Sequence, residues 1–232
     1  QYPDDCLLEQ KMARRGHHTL EEIKSMVLVT AEDLVIQGGL PLLTVRRIAT
    51  KIGYTVGSIY MVFGSMSDLV MHLKGRVFDT IVAEMEQVQA PTAKQCLEEL
   101  ADVYIRYASQ NFNCWSMVFE YRLPKELEIP DWYQNKVDNL YRKFENQFAQ
   151  LSPELTLAQR KQTTIAFLGG LHGICVFKLT TPLGGINDND IKESVHLLIR
   201  KFTPDPWINS MVKPTPKDNK EAKRPLSTVH ST

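Results

Sequence analysis

The stretch Leu43-Thr-Val-Arg-Arg-Ile-Ala-Thr-Lys-Ile-Gly-Tyr-Thr-Val-Gly-Ser-Ile-Tyr-Met-Val-Phe63 decides the fold. Behind Thr44, the apolar residues Val45, Ile48, Ala49 and Ile52 recur at the spacing of one helix face, and Gly53 ends the run. Thr55 then opens a second short helix that reaches Phe63. Helices shorter than about a dozen residues are marginal in water, so each must pack on the other and on a third. The third is the helix that starts at Thr19. Ala49 and Gly53 are small and allow the two short helices to approach closely. A short helix held outward by two others is the helix-turn-helix arrangement, whose second helix enters the DNA major groove. A three-helix packing unit with no DNA contact has the same spacing, and spacing alone does not separate the two.

Outward from this core the helix signals continue in both directions. Thr19-Leu-Glu-Glu22 has the capping-box form, followed by Ile23, Val27, Leu34 and Val35 on one face until Gly38-Gly39 and Pro41. Ser65-Met-Ser-Asp68 repeats that form ahead of Leu69, Leu73, Val77, Ile81, Met85 and Val88, which stripe a long fourth helix before Ala90-Pro91 breaks it. Thr92 opens a helix with Leu97, Leu100, Ala101, Tyr104 and Ala108 facing inward, and an aromatic piece from Asn113 to Tyr121 leads into the Pro124–Pro130 loop. Tyr133, Val137, Leu140, Tyr141, Phe144 and Phe148 stripe the next helix, and Thr156-Leu-Ala-Gln159 caps one running to Leu179. After Gly184-Gly185 the last helix carries Ile191, Val195, Leu198, Ile199 and Phe202. No segment has the alternation of a strand, so the chain reads as all-α, with about nine helices and no internal repeat. Three regions follow: a helix-turn-helix head over 12–64, a larger helical domain over 65–202, and a proline-punctuated polar tail over 203–232 expected to be disordered. Gln1 stands where a Met would, and Met12-Ala-Arg-Arg-Gly16 has the form of a natural start with a basic arm. Residues 1–11 therefore read as an upstream extension or as an unstructured N-terminus.

Composition narrows the function. The chain has 232 residues, 43% of them hydrophobic and 23% charged, with 27 basic and 27 acidic side chains and a net charge of zero. The zero conceals a net +3 from Met12 to Arg76 and a net −3 from Asp79 to Phe202, which suggests that one end meets an anionic partner. No uninterrupted apolar run approaches the ~20 residues of a membrane span, and no signal peptide is legible, so no membrane partner is expected. Cys6, Cys96, Cys114 and Cys175 are scattered without metal-ligand or disulfide spacing. They read as buried thiols in a reducing cytoplasm, and neither a metal nor another cofactor is expected. No nucleophile motif or phosphate-binding glycine loop supports an enzyme, although an all-α enzyme and a ligand-binding helical protein without operator binding are the competing readings.

Thr44-Val45-Arg46, Ile48-Ala49, Gly53, Gly57, Ile59-Tyr60 and Phe63 resemble the DNA-binding domain of the TetR/AcrR family of bacterial transcriptional regulators over Thr19 to Leu73. Leu168-Gly-Gly-Leu-His-Gly173 is similar to a degenerate form of the Trp-His-Gly motif in one branch of that family, with Leu171 in place of Trp. The resemblance implies a cytoplasmic, nucleoid-associated homodimer that binds a palindromic operator and acts as a repressor relieved by a small apolar or aromatic effector. It further implies that Thr44, Arg46, Arg47 and Tyr60 meet the DNA backbone or a guanine edge, with Tyr54, Thr55, Val56, Gly57 and Ser58 at the reading end. Where the family commonly has a Lys at the start of the fourth helix and a His before the final aromatic, this chain has Met66 and Val62. Affinity then rests more on Arg14, Arg15, Arg46, Arg47 and Lys51, and Val56 with Gly57 suits thymine methyls. In the second domain Tyr104, Tyr107, Trp115, Phe119 and His172 combine apolar walls with polar tips, a composition suited to an effector pocket. By its residue type and place beside Gly173, His172 reads first as a satisfied core histidine, with a hydrogen bond to ligand as its second role. Phe167, Leu171, Ile174, Val195, Leu198, Ile199 and Phe202 are expected at a dimer interface, with internal core as the other reading.

Overall fold

The computed structural model describes residues 18–180 and 187–202. The expected upstream extension (1–11), the arm residues Arg14 and Arg15, Cys6, the Gly184-Gly185 loop and the tail (203–232) lie outside the described residues. Within them the chain is all-α, with nine helices and no strand. In order they are α1 (Leu20–Gly38), α2 (Val45–Ile52), α3 (Val56–Val62), α4 (Met66–Met85), α5 (Ala93–Gln110), α6 (Phe112–Glu120), α7 (Asp131–Leu151), α8 (Leu157–Thr180) and α9 (Asp188–Phe202), with a 3₁₀ turn at Leu40–Leu42.

Hydroxyl side chains start most of these helices by accepting a backbone N–H that has no intrahelical partner. Thr19 Oγ1 accepts from Glu22 N at 3.2 Å while Glu22 Oε2 accepts from Thr19 N at 2.6 Å, a complete capping box. Thr156 and Gln159 form the same reciprocal pair at α8. Thr44, Thr55, Ser65 and Thr92 cap α2, α3, α4 and α5. Between α2 and α3, Gly53 takes the left-handed conformation at φ +74°, which a residue with a Cβ adopts only under strain. The fourth helix stops at Met85, short of Val88, because Gln87 N turns back to Glu84 O and Val88 N to Met85 O ahead of Pro91.

The head buries Val27, Leu34, Ile48, Ile59 and Phe63 where α1, α2 and α3 meet. From it α4 runs into a bundle of α5, α7, α8 and α9, and its outer charges are tied to every side. Arg76 pairs with Glu32 of α1 at 3.0 Å, and Glu84 with Arg106 of α5 at 3.1 Å. Asp79 pairs with Lys136 of α7, and Glu86, just past α4, with Lys143 at 3.1 Å. The bundle core is aromatic: Phe167 packs on Phe148 with ring centroids 5.4 Å apart and on Phe202 at 5.8 Å.

This core corrects the expected interface. Phe167, Leu171, Val195 and Ile199 are buried by the chain's own helices, so they have no surface to offer a second copy. Leu198 is half-buried over Gly170, where an added Cβ would lie 2.9 Å from Leu198 Cδ1, so that glycine serves the α8–α9 contact within one chain. Ile174 and Phe202 are half-buried against the same core. What α8 and α9 leave open lies elsewhere, with Phe177 57% and Leu197 49% exposed and with free space over Gly173. α8 is also, among the described residues, the single unbroken helix long and apolar enough by composition to cross a membrane. Only 28% of that apolar window is buried inside the chain. Apolar runs counted residue by residue do not reveal this, because Thr, Gly and His interrupt them.

Candidate nucleic-acid interface and effector cavity

No acidic residue occurs between Asp33 and Asp68, so the charges that α2 and α3 themselves carry are all positive. Arg46, Arg47 and Lys51 are exposed on α2, and Thr44 is exposed at its start. There the free amides of the first turn favour a phosphate oxygen. On α3 the side chains divide by periodicity. Ile59 and the capping Phe63 are each 1% exposed and hold the helix to the head, while Val56, Gly57 and Tyr60 face outward. Thr55 Oγ1 accepts from Ser58 N at 3.1 Å and lies 2.9 Å from Ser58 Oγ, so these two hydroxyls already bond each other across the cap. Tyr54 is half-buried, and its hydroxyl meets His18 Nδ1 at 2.8 Å, which ties the end of the α2–α3 turn to the segment entering α1. Two residues of this face were not legible in advance. Met61 is 76% exposed, the most open large apolar side chain of the described residues, and periodicity gave it no role. His18 reaches Tyr54 only through the tertiary fold.

In the second domain a cavity of about 290 Å³ opens between α4, α5, α6, α7 and α8. Tyr104, Phe119 and His172 line it, together with Phe78, Val137, Leu140, Tyr141, Ile165, Leu168 and Gly169. Trp115 stands behind the wall: its Nε1–H donates to the Tyr104 oxygen at 3.1 Å. The Tyr104 oxygen lies 3.2 Å from His172 Nδ1. With Trp115 as donor, the phenol hydrogen is free to reach Nδ1, and the imidazole proton then sits on Nε2. Burial pushes the His172 pKa below that of an ordinary histidine, so the ring is neutral near pH 7. Burial pushes the Tyr104 hydroxyl upward, which keeps it a phenol rather than a phenolate. The imidazole is also walled by Phe119 at 4.0 Å and by Trp115 at 4.8 Å between ring centroids. Tyr107 lies away from this cavity. It is buried one turn beyond Tyr104 and beside Cys114, on the side of Glu32 and Glu84. Cys114 and Cys175 are buried free thiols, and Cys96 is half-buried.

Helix α6 connects the two regions. Phe119 near its end forms cavity wall, and Tyr121, its capping residue, grips α4 twice. Lys74 Nζ donates to the Tyr121 carbonyl at 2.7 Å, and the Tyr121 hydroxyl lies 3.1 Å from Ser67 Oγ. Lys74 is 4% exposed, and burial lowers its pKa. At the other end of α6, Asn113 Nδ2 donates to Ile36 O in the last turn of α1 at 2.9 Å. These contacts span long separations in sequence, and no local pattern announces them.

Residues 27–73 match the family model described as bacterial regulatory proteins, tetR family. No curated protein matches the chain in sequence. Among solved structures, the chain is similar to the TetR family transcriptional regulator PfmR from Thermus thermophilus, with a TM-score of 0.52 and 17% identity over 75% of this chain and 97% of that one. It is similar to the transcriptional regulator FadR from Bacillus subtilis in complex with stearoyl-CoA, with a TM-score of 0.59 and 13% identity over 77% and 97% of the two chains. It is likewise similar to RolR in complex with resorcinol, with a TM-score of 0.60 and 12% identity over 78% and 88%. Likeness at these identities carries the fold.

Proposed function

Since residues 27–73 match the model of tetR-family bacterial regulatory proteins, we propose that the chain is a regulator of that family, a homodimeric repressor whose hold on a two-fold operator is relieved by a small molecule in the α4–α8 cavity. The observation that carries this reading is α6: one helix forms cavity wall through Phe119 and grips both α4 and α1 of the reading head. A ligand that shifts Phe119 acts on Tyr121 and Asn113 through a rigid helix, and so on the separation of two paired heads. FadR and RolR, which share the fold, are known in complex with stearoyl-CoA and with resorcinol, and that supports a small apolar or aromatic effector here. The reading makes the chain a regulator and not an enzyme, acting wherever the DNA is held.

On the DNA side, Arg46 and Arg47 are assigned to phosphates or a guanine edge, Thr44 and Tyr60 to phosphates, and Val56 and Gly57 to base methyls. Thr55, Ser58 and Tyr54 hold the reading helix in place. Tyr60→Phe and Arg46→Ala remove polar groups that the fold does not use, because both side chains are exposed. The Arg46 change should weaken operator binding by about 1.5–3 kcal/mol, the size of a charge-assisted hydrogen bond, and should flatten its salt dependence. Titration of labelled flanking DNA checks this, with circular dichroism to verify the fold. Folded variants of undiminished affinity would leave the ligand-binding protein without operator activity as the better reading.

A further inference from the structure

We propose that the cavity is selective for an uncharged, flat aromatic molecule carrying one hydrogen-bond acceptor, received by His172 Nε2–H. The inference deepens the effector reading and rests on it for its biological meaning. No Asp, Glu, Lys or Arg lines the cavity. A carboxylate or ammonium placed there loses its hydration without gaining a counter-charge, which is costly. Beyond Val137 and Tyr141 a neighbouring groove holds Asp138, Arg142, Glu145 and Lys161, whose charges balance and give an ion no net attraction. Polarity inside is scarce and largely engaged. The Tyr104 hydroxyl sits between Trp115 and His172, which leaves the imidazole Nε2–H and the Tyr141 hydroxyl as donors, and the imidazole is the one oriented by a bond to Tyr104. The site prefers a flat body because Phe78, Phe119 and Tyr141 line it with ring surface. At about 30 Å³ per water-sized group, a cavity of about 290 Å³ holds on the order of ten non-hydrogen atoms, the size of two fused rings.

Three probes of nearly equal shape separate these statements: β-ethylnaphthalene has no acceptor, β-acetylnaphthalene has a neutral one, and β-naphthoate has a charged one. Calorimetry with the full chain should rank acetylnaphthalene above ethylnaphthalene by roughly two- to tenfold, the worth of one neutral hydrogen bond. Naphthoate should bind weakest of the three. His172→Phe should erase the gap between the two neutral probes while ethylnaphthalene still binds. Ile165→Lys changes a half-exposed lining residue and leaves the core intact, and it should raise naphthoate affinity above the wild-type value. The proposal is overturned if naphthoate equals or exceeds acetylnaphthalene on the wild-type protein, or if none of the three binds. It is also overturned if the acetyl preference survives His172→Phe, or if Ile165→Lys leaves naphthoate unchanged. Acetylnaphthalene that binds as described but leaves operator affinity unaltered supports the ligand assignment and removes the effector reading alone.

Discussion

His72 sits where the helix-turn-helix head meets the helical bundle. Its imidazole lies edge-on to Phe63, the cap of α3, at 5.4 Å, and stacks on Trp132 of α7 at 4.5 Å and 16°. Burial lowers its pKa, and Lys24 and Lys136 push it further down against the opposing pull of Asp68. An unfolded chain restores an ordinary histidine near 6.5. The unfolded state therefore binds more protons below that value, and the stability present above pH 6.5 is lost as pH falls toward the depressed folded value. The melting temperature should drop between pH 7.5 and 5.5, and His72→Phe, which keeps a ring against Trp132, should drop less. Equal drops in the two proteins would show that this imidazole does not sense acid. Phe63 was legible as core because it continues an apolar face. The histidine was not, because its packing partners lie on other elements, and Trp132 follows it only after two intervening helices.

At the scale of elements, the starts of helices were the most legible feature, because a hydroxyl three residues ahead of its capping partner is a local pattern. Thr19, Thr44, Thr55, Ser65, Thr92 and Thr156 all cap as the spacing predicts. The coupling between elements was not legible. Ser67, Lys74 and Asn113 carry no motif, and they matter because the fold places Tyr121 and Ile36 beside them. Helix α6 itself read as a short aromatic piece, and its proposed role as the link between cavity and head rests on these pins. Lys74→Met keeps the length of the buried side chain and removes its ammonium, so α4 remains packed while its grip on Tyr121 is lost. Effector-type coupling is typically about 1–3 kcal/mol, a factor of roughly 5–150 in operator affinity. In Lys74→Met that factor should shrink toward one, and Asn113→Ala should act in the same direction from the α1 side. Anisotropy titrations of operator with and without a saturating cavity ligand measure it. A variant that binds both DNA and ligand and retains the full factor would exclude α6 as the relay.

For the molecule as a whole, the proposed two-fold arrangement is judged by what the bundle leaves uncovered. A single head reads one half-site, and a fixed pair separated by about one turn of DNA, roughly 34–36 Å, gains both affinity and selectivity. Apolar periodicity on α8 and α9 gave too many candidates for the joining surface, because a residue facing the chain's own core and one facing a partner look alike in sequence. Burial separates them. Phe167 and Leu171 are fully buried within one chain, whereas Phe177 of α8 and Leu197 of α9 stand about half exposed. Phe177→Glu combined with Leu197→Glu puts four carboxylates across a two-fold contact without touching the monomer core, so the double variant should fold and sediment as a monomer. Its operator affinity should fall by well over tenfold, since each head must then bind alone. Phe167→Glu should do something different, destabilising the fold by roughly 3–5 kcal/mol as large core losses do. A folded double variant that still sediments as a dimer would move the proposed interface away from these residues of α8 and α9, and with it the path proposed from the cavity to the spacing of the heads.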